Sequence, residues 1–504
     1  MPFPFVLPTI GSSPLTQYLA SSTHPSLPFT ATTHRSVLRD ALKKHKRLPT
    51  ASQASNLPTV QDALNNYIPY LLLLDAAVDK QPIHGERVDM QETRPLELEW
   101  RPTLSRSSAG RGEPERVKIT RIRDELAFVL QTLAYVQVLQ ARSLLFSLYA
   151  ASPPPSQEHR AGAIATAMKF LLDANSIHSY SLSLAAALLQ PVPQVAHTSA
   201  SPVTSPSPSV TPSAPADILP STQSALASLA LAEATLITVS KDDPYAAAVV
   251  EARNKESKEW MIRAPSIPKV RAHLFARLCL ASADHAAKAS ALLAQAGARL
   301  DDSLLKYTDD FKRTARAKAA RFLGIDAEIA GKTGEAIAWM RGGRKELGFI
   351  TSSAEEAESG KRRGLKGLKQ SWAEKREDRI ISRGNVESWG LDAGKLEEGR
   401  VLEWLEGKWN RENDTVSVQI VAPFEPLLAA MPSGREYHTL KTYTPPALDG
   451  HVLASMRAPP DPAQHAYTAT EADSGDEADY PPVEPVGAFP GTGTEYRTDS
   501  PAYY

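Results

Sequence analysis

The stretch RIRDELAFVLQTLAYVQVLQARSLLFSLY, residues 121–149, carries apolar side chains at helical spacing, with Leu126, Leu130, Leu133 and Leu144 along one broad face. Gln131, Gln137, Gln140 and Arg142 interrupt it. Four strongly polar side chains are too many for a membrane span, so the run is expected to be a core helix of a large helical domain. A chain built around such a helix must supply further amphipathic helices to cover it.

Those helices are visible on both sides. THRSVLRDALKKHKRL reads as a basic amphipathic helix, and LPTVQDALNNYIPYLLLLDAAV as a second, with Pro58 near its start and Pro69 bending it. Between them and residue 120 lie PLELEW (95–100) and ERVKI (115–119), whose alternation predicts a β-hairpin around a Gly/Ser/Arg loop. HRAGAIATAMKFLLDANSIHSYSLSLAAALL resumes the helical pattern after three prolines at 153–155. Residues 190–220 are rich in Pro, Ser and Thr, cannot bury apolar surface, and are expected to be a disordered insertion. STQSALASLALAEATLITVSKDD continues as helix, with Ser221 as a candidate cap. AARFLGIDAEIAGKTGEAIAWMRGGRKELGF has the small-residue spacing of one tetratricopeptide hairpin, through Gly324, Gly331, Ala336 and Gly343. Its GKTGEA lacks a preceding strand and the upstream glycine of a phosphate loop, so it reads as the turn between two helices. The domain is expected to span residues 1–446, followed by an acidic, disordered tail over 447–504.

Composition narrows the function classes. Lys plus Arg number 56 against 57 Asp plus Glu, so the chain as a whole has no field that selects nucleic acid. The single cysteine, Cys279, excludes an intramolecular disulfide and a Cys-rich zinc site, and fits a reducing compartment. MPFPFVLPTIGSS has neither a basic n-region nor a long apolar core, and residue 2 is proline. No secretory signal or N-myristoylation is expected, and the protein should be soluble and cytosolic.

Cys279 is the one candidate nucleophile, in IPKVRAHLFARLCLASADHAAKASALL. On an ideal helix His273 and His285 each lie about 120° from it, and Asp284 about 140°. Leu274, Leu278, Ala281, His285 and Leu292 share one face, flanked by Phe275, Cys279, Ala286 and Leu293. The cysteine is therefore expected at the edge of a buried stripe, as a small hydrophobe, and His285 as a satisfied core histidine. A cysteine hydrolase would need its base from another helix. No HExxH, P-loop or Rossmann pattern occurs, so no metal, cofactor or small-molecule substrate is expected. The runs KKHKR (43–47) and KRRGLKGLK (361–369) read as solvated faces, or as surfaces for an acidic partner helix or anionic lipid. Ser201, Ser205, Ser207 and Thr211 precede prolines and are candidate phosphorylation sites.

The order PFPFVLPT, two helices, PLELEW…ERVKI, DELAFVLQTLAYVQVL, tetratricopeptide-like helices and closing FEPLLAAMPSGREYHTLKTYTPP resembles the Bro-one domain of Alix-type ESCRT adaptors. KDDPYAAAV, NKESKEWMIRAPSIPKVRAHLFARLCLAS, GLKGLKQSWAEKREDR and LEEGRVLEWLEGKWN bring it closer to the fungal ambient-pH-response regulators of that family. The resemblance covers residues 3–446. It implies a mainly α, boomerang-shaped domain with a tetratricopeptide-like core and a small β-sheet near the N-terminus. It also implies a non-catalytic adaptor that binds the C-terminal amphipathic helix of an ESCRT-III filament subunit. Other pH-signalling components, peripheral membrane contact and recruitment from the cytoplasm to cortical plasma-membrane sites and endosomes belong to the same expectation. An endosomal-sorting adaptor of the Alix/palA type is the alternative, disfavoured because no coiled-coil region follows residue 446.

By the same resemblance the partner-binding positions fall on Thr238, Val239, Val249 and Arg253, with Lys241 at the edge. Apolar knobs with a rim cation are what helix-in-groove docking requires. Thr238 stands where the pattern has an aromatic and Arg253 where it has a leucine, so either the patch is displaced or binding leans on charge. Gly434, Arg435 and Glu436 of MPSGRE form a second candidate surface, where the arginine either pairs with a partner carboxylate or fixes the end of the domain.

Overall fold

Residue 125 shows how the first half is assembled. Glu125 lies in the first turn of the helix Ile122–Ala150 (α3), where a carboxylate suits the helix dipole, yet it is fully buried. Its oxygens accept from the Arg35 guanidinium (2.8 Å), the Tyr67 hydroxyl (3.3 Å) and the Trp100 indole N–H. Those partners come from the helix Ser26–Arg47 (α1), the helix Thr50–Val78 (α2) and the strand Leu98–Arg101 (β4). One carboxylate thus fixes two helices and a sheet on the long core helix. A computed structural model describes residues 2–83, 85–106, 114–150, 155–187, 215–246, 248–249, 270–295, 300–349 and 389–459. Arg253, the basic run 361–369, Ser201, Ser205, Ser207, Thr211 and the acidic stretch of the tail lie outside the described residues.

Among the described residues the remaining α-helices are Gln157–Ala187 (α4), Pro220–Lys241 (α5), Ala272–Gln295 (α6), Asp302–Ile329 (α7), Thr333–Glu346 (α8), Lys395–Glu412 (α9), and the short Glu425–Ala429 (α10) and Gly450–Ser455 (α11). From α1 to α8 each long helix packs chiefly on the one before it and the one after it, and α9 closes on α8 and α7. Gly324 acts as the sequence suggested, at the contact of α7 with α8, whereas Gly343 faces α9 first. A methyl on Gly324 would meet Met340 and Trp339, and one on Gly343 would meet Leu402. The α7–α8 turn holds Gly331 at φ +74°.

Several boundaries differ from expectation. α2 starts at Thr50, so Pro58 lies inside it and not near its start, while buried Leu57 and Val60 hold this end on the core. Ser221 does not cap α5; Leu219 occupies the N-cap and Pro220 the first turn, where a missing N–H costs nothing. The last residues of the Pro/Ser tract are ordered. Asp217 is buried in the turn Ala216–Ile218 and accepts from the N–H groups of Thr103 and Leu104 at 2.9 Å and from the Ser105 hydroxyl. By length and composition α5 resembles a membrane span, but most of it is buried inside the protein.

The hairpin pairs β4 with Val117–Ile119 (β5), antiparallel, with Leu98 opposite Ile119 and Trp100 opposite Val117. Thr9–Ile10 (β1) adds a third strand, and Leu19–Ala20 (β2) pairs with Gln91–Glu92 (β3). The fold is mainly helical with small antiparallel sheets near the N-terminus. One compact unit runs Met1–Arg457; past Pro459 the second unit, Ala458–Tyr504, lies outside the described residues.

Two further buried polar centres join distant elements. Glu233 of α5 accepts from the Phe3 N–H (3.0 Å) and the Tyr307 hydroxyl (2.6 Å), which threads PFPF into the core, with Phe5 stacked on Tyr135 at 4.2 Å. Arg321 of α7 binds Asp243 (2.6 Å) and Glu398 (2.6 Å), and Lys318 also reaches Glu398 (2.9 Å). Burial alone would raise the Asp243 carboxyl, but the Arg321 guanidinium outweighs it and holds the group at about 2.

These centres set two expected outcomes. Arg321→Met leaves Asp243 buried without its cation and Glu398 with Lys318 alone, and should cost about 3–5 kcal/mol in urea unfolding near neutral pH. In the parent, the Asp243 contribution is present above the ordinary aspartate range and lost as pH falls toward 2. Burial pushes Glu233 up to about 7, so its contribution is full below the ordinary glutamate range and is lost as pH rises through 7. Glu233→Gln keeps an acceptor for Phe3 and Tyr307 and should remove roughly 3 kcal/mol of alkaline destabilisation between pH 5 and 8. Equal pH slopes for parent and variant would refute that role.

Candidate functional site

The two candidate surfaces read from the sequence are brought together by one extended segment. After α10 the chain runs without helix or strand from Met431 to Asp449, and its contacts carry it across α6, α5 and α4. On α6, the Arg435 N–H donates to the Arg277 carbonyl (3.0 Å), while the Arg277 guanidinium donates to the Ser433 carbonyl (3.1 Å). Between them Gly434 lies flat on the helix; a Cβ there would sit 2.6 Å from the Ala281 nitrogen. Glu436 pairs with His285 at 3.1 Å. The segment then reaches α5, where the His438 Nε2 lies 3.4 Å from the Thr238 hydroxyl. Further on, Tyr443 meets Tyr180 of α4 edge to face, with ring centroids 5.5 Å apart.

This geometry assigns MPSGRE a local role: Gly434 permits close approach, Glu436 anchors through His285, and the Arg435 side chain stays exposed. No pattern in GREYH marks this contact in the sequence. Gly434 and His438 are partly buried and Glu436, though exposed, reaches back to His285, whereas Arg435 and Tyr437 are exposed. His438 and Arg277 were missed because neither belongs to a recognisable motif. Burial holds the His438 imidazole below its ordinary range, opposed by the Ala234 carbonyl and Glu436.

On α5 the expected positions separate by burial. The Thr238 hydroxyl donates to the Ala234 carbonyl (3.0 Å), touches the Met168 sulfur (3.3 Å), and lies beneath the strap. Val239 and Val249 are 1% and 3% exposed and belong to the core. Lys241, in the last turn of α5, is exposed. Two residues later, Asp243 is drawn inward by Arg321 and caps the Tyr245 N–H (3.1 Å). The exposed apolar side chains here are Tyr437 (57%) and Leu440 (50%), both on the strap.

Cys279 sits on α6 beneath the same region. It is completely buried and central to the packed face, not at its edge, because α6 is covered by α5 on one side and α7 on the other. Burial pushes its thiol up to about 12, the reverse of what a thiolate nucleophile needs. The neighbouring histidines have other partners: His273 lies 3.8 Å from Asp326, and His285 is a half-buried rim residue bonded to Glu436, not a core histidine.

The strap contact yields a direct check. Gly434→Ala forces its methyl against the Ala281 backbone and should release the strap. Proteolysis after residue 430 should become faster, with the melting temperature lowered by several degrees. Arg435→Ala, which changes only an exposed side chain, should leave both unchanged.

No protein-family model matches the chain. The pH-response regulator protein palC of Emericella nidulans (strain FGSC A4) is 41% identical over 532 residues, covering 100% of both chains. Among solved structures, the chain is similar to the ALIX BRO1 domain in complex with CHMP4C, at 13% identity and TM-score 0.49, covering 89% of this chain and 96% of that one. It is also similar to the Bro1 domain solved for endosomal targeting, at 14% identity and TM-score 0.42, covering 90% of this chain and 95% of that one. On its identity with palC over the whole of both chains, the chain belongs to the palC family of pH-response regulators.

Proposed function

We propose that this protein is a non-catalytic, ESCRT-related Bro-one adaptor of ambient alkaline pH signalling. It binds the C-terminal amphipathic helix of an ESCRT-III filament subunit and so helps proteolytic activation of the pH-responsive transcription factor. It acts from the cytoplasm, recruited to cortical membrane sites. The observation that carries the reading is the 41% identity to palC across both full chains. Complete burial of Cys279, which pushes its thiol up to about 12, supports this reading over a cysteine hydrolase, whose nucleophile must ionise readily.

The docking surface is the strap where it crosses α5. Thr238 lies under the strap, Lys241 supplies an exposed rim cation, and Tyr437 and Leu440 supply exposed apolar anchors. That combination suits an amphipathic helix with an acidic edge. Val239 and Val249 support the surface from below, and Arg253 remains part of the proposed patch from outside the described residues.

A pull-down of the full chain with the subunit's C-terminal helix tests this. Tyr437→Ser with Leu440→Ser should weaken binding at least tenfold, and Lys241→Glu several-fold with a shallower salt dependence, all without loss of melting temperature. Val249→Asp should instead unfold the protein, because it places a charge in the core. Absence of binding by the parent at low as well as moderate salt would sink the adaptor reading.

A further inference from the structure

We propose that the outward face of α1 is a docking surface for anionic phospholipid membranes. The inference stands independently of the ESCRT-III reading, since it uses a different surface and a different ligand chemistry. The inner face of α1 is fixed by burial of Leu27, Ala31, Leu38 and Leu42 and by the Arg35–Glu125 ion pair. Rotation about the helix axis is therefore set, and so is what points outward.

Two features share that outward face. Phe29 and Val37 are 68% and 54% exposed, large apolar side chains with no packing role. Further along, Arg39, Lys43, Lys44 and Arg47 line an open cleft of about 470 Å³ with Asp40 and Leu48. At 100° per residue, Phe29, Val37, Lys43, Lys44 and Arg47 fall within an arc of about 120°, over roughly 27 Å of helix. Apolar side chains standing beside a row of cations on one solvent-facing helix are the pattern of an interfacial membrane contact.

The surrounding elements reinforce the sign of the field. Lys43 feels the cations Arg39, Arg116 and Arg47 against the single anion Asp40, and Lys46 feels Arg101 and Arg116, which rise from β4 and the start of β5. The Nη1 of Arg116 is buried without an acceptor in the protein. From Ala41 to Gln61 the sequence contains no carboxylate; Asp40, exposed and 3.7 Å from Arg39, lies within the same arc between the apolar pair and the cations, where Lys43, Lys44 and Arg47 outnumber it. An acidic helix would also answer the charge, but it would seek a groove with apolar walls. Here the apolar groups protrude singly, as insertion between lipid headgroups requires.

The test uses the full chain and sedimentation with vesicles of phosphatidylcholine, with and without phosphatidylserine. Binding is expected only to the anionic vesicles and should fall as salt rises. Lys43→Glu, Lys44→Glu and Arg47→Glu together should lower partitioning at least tenfold at an unchanged melting temperature. Phe29→Ser with Val37→Ser should leave low-salt binding near the parent level but abolish the fraction that survives moderate salt. Three results overturn the proposal: no binding by the parent to anionic vesicles at low salt, equal binding by the charge-reversal variant, or capture of a poly-glutamate peptide through these lysines while vesicles stay unbound. Unchanged salt resistance in the Phe29/Val37 variant would overturn the insertion of those side chains.

Discussion

Arg321 is the point through which the second half of the molecule is held. Its guanidinium is completely buried, joined to Asp243 and Glu398 at 2.6 Å each, and lies over the Tyr245 ring at 5.5 Å. Those partners stand far from it in sequence, one just after α5 and the other in α9. An ion pair so buried repays its desolvation only when every charge finds a partner, and Lys318 completes the set. The arrangement holds Asp243 and the Tyr245 ring against α7 and surrounds Cys279 with fully committed charges.

Glu125 and Glu233 play the corresponding part in the first half. Each is a carboxylate on a long apolar helix, and each receives donors from elements distant in the chain. The surface that results has separable faces: a strap laid over α6, α5 and α4, and a cationic outer face on α1. Two separable exposed surfaces on one helical stack would suit the adaptor role proposed above, because bringing partners together needs geometry and no chemistry.

Much of this was legible in the residues. Helical spacing located α3, α4, α6 and α7, and alternation located the β4–β5 pair. Gly324 marked the close approach of α7 and α8, where only a small side chain fits, and Gly331 the turn between them, whereas Gly343 chiefly makes room for Leu402 of α9. The strap was half legible: MPSGRE drew notice as a motif, but its partners Ala281, His285 and Thr238 lie 153, 151 and 200 positions away and share no pattern with it. Val239 and Val249 show the opposite failure. A valine near a helix end reads the same whether it faces a partner or the core, and only the neighbouring elements decide.

The sequence alone determined what depends on local repetition: helices, their buried stripes, the turn glycines, and the family to which long strings such as LEEGRVLEWLEGKWN belong. These properties are set within a few residues, so periodicity and composition express them directly. Tertiary structure decided which polar residues are structural and which are free to bind. Glu125, Glu233 and Arg321 look like surface charges in the chain and are buried hubs in the fold, while Phe29 and Tyr437 look like core and stand in solvent. The physical reason is that a charge becomes tolerable in the interior, or an aromatic idle at the surface, only through partners supplied by distant segments, and no local pattern encodes those partners.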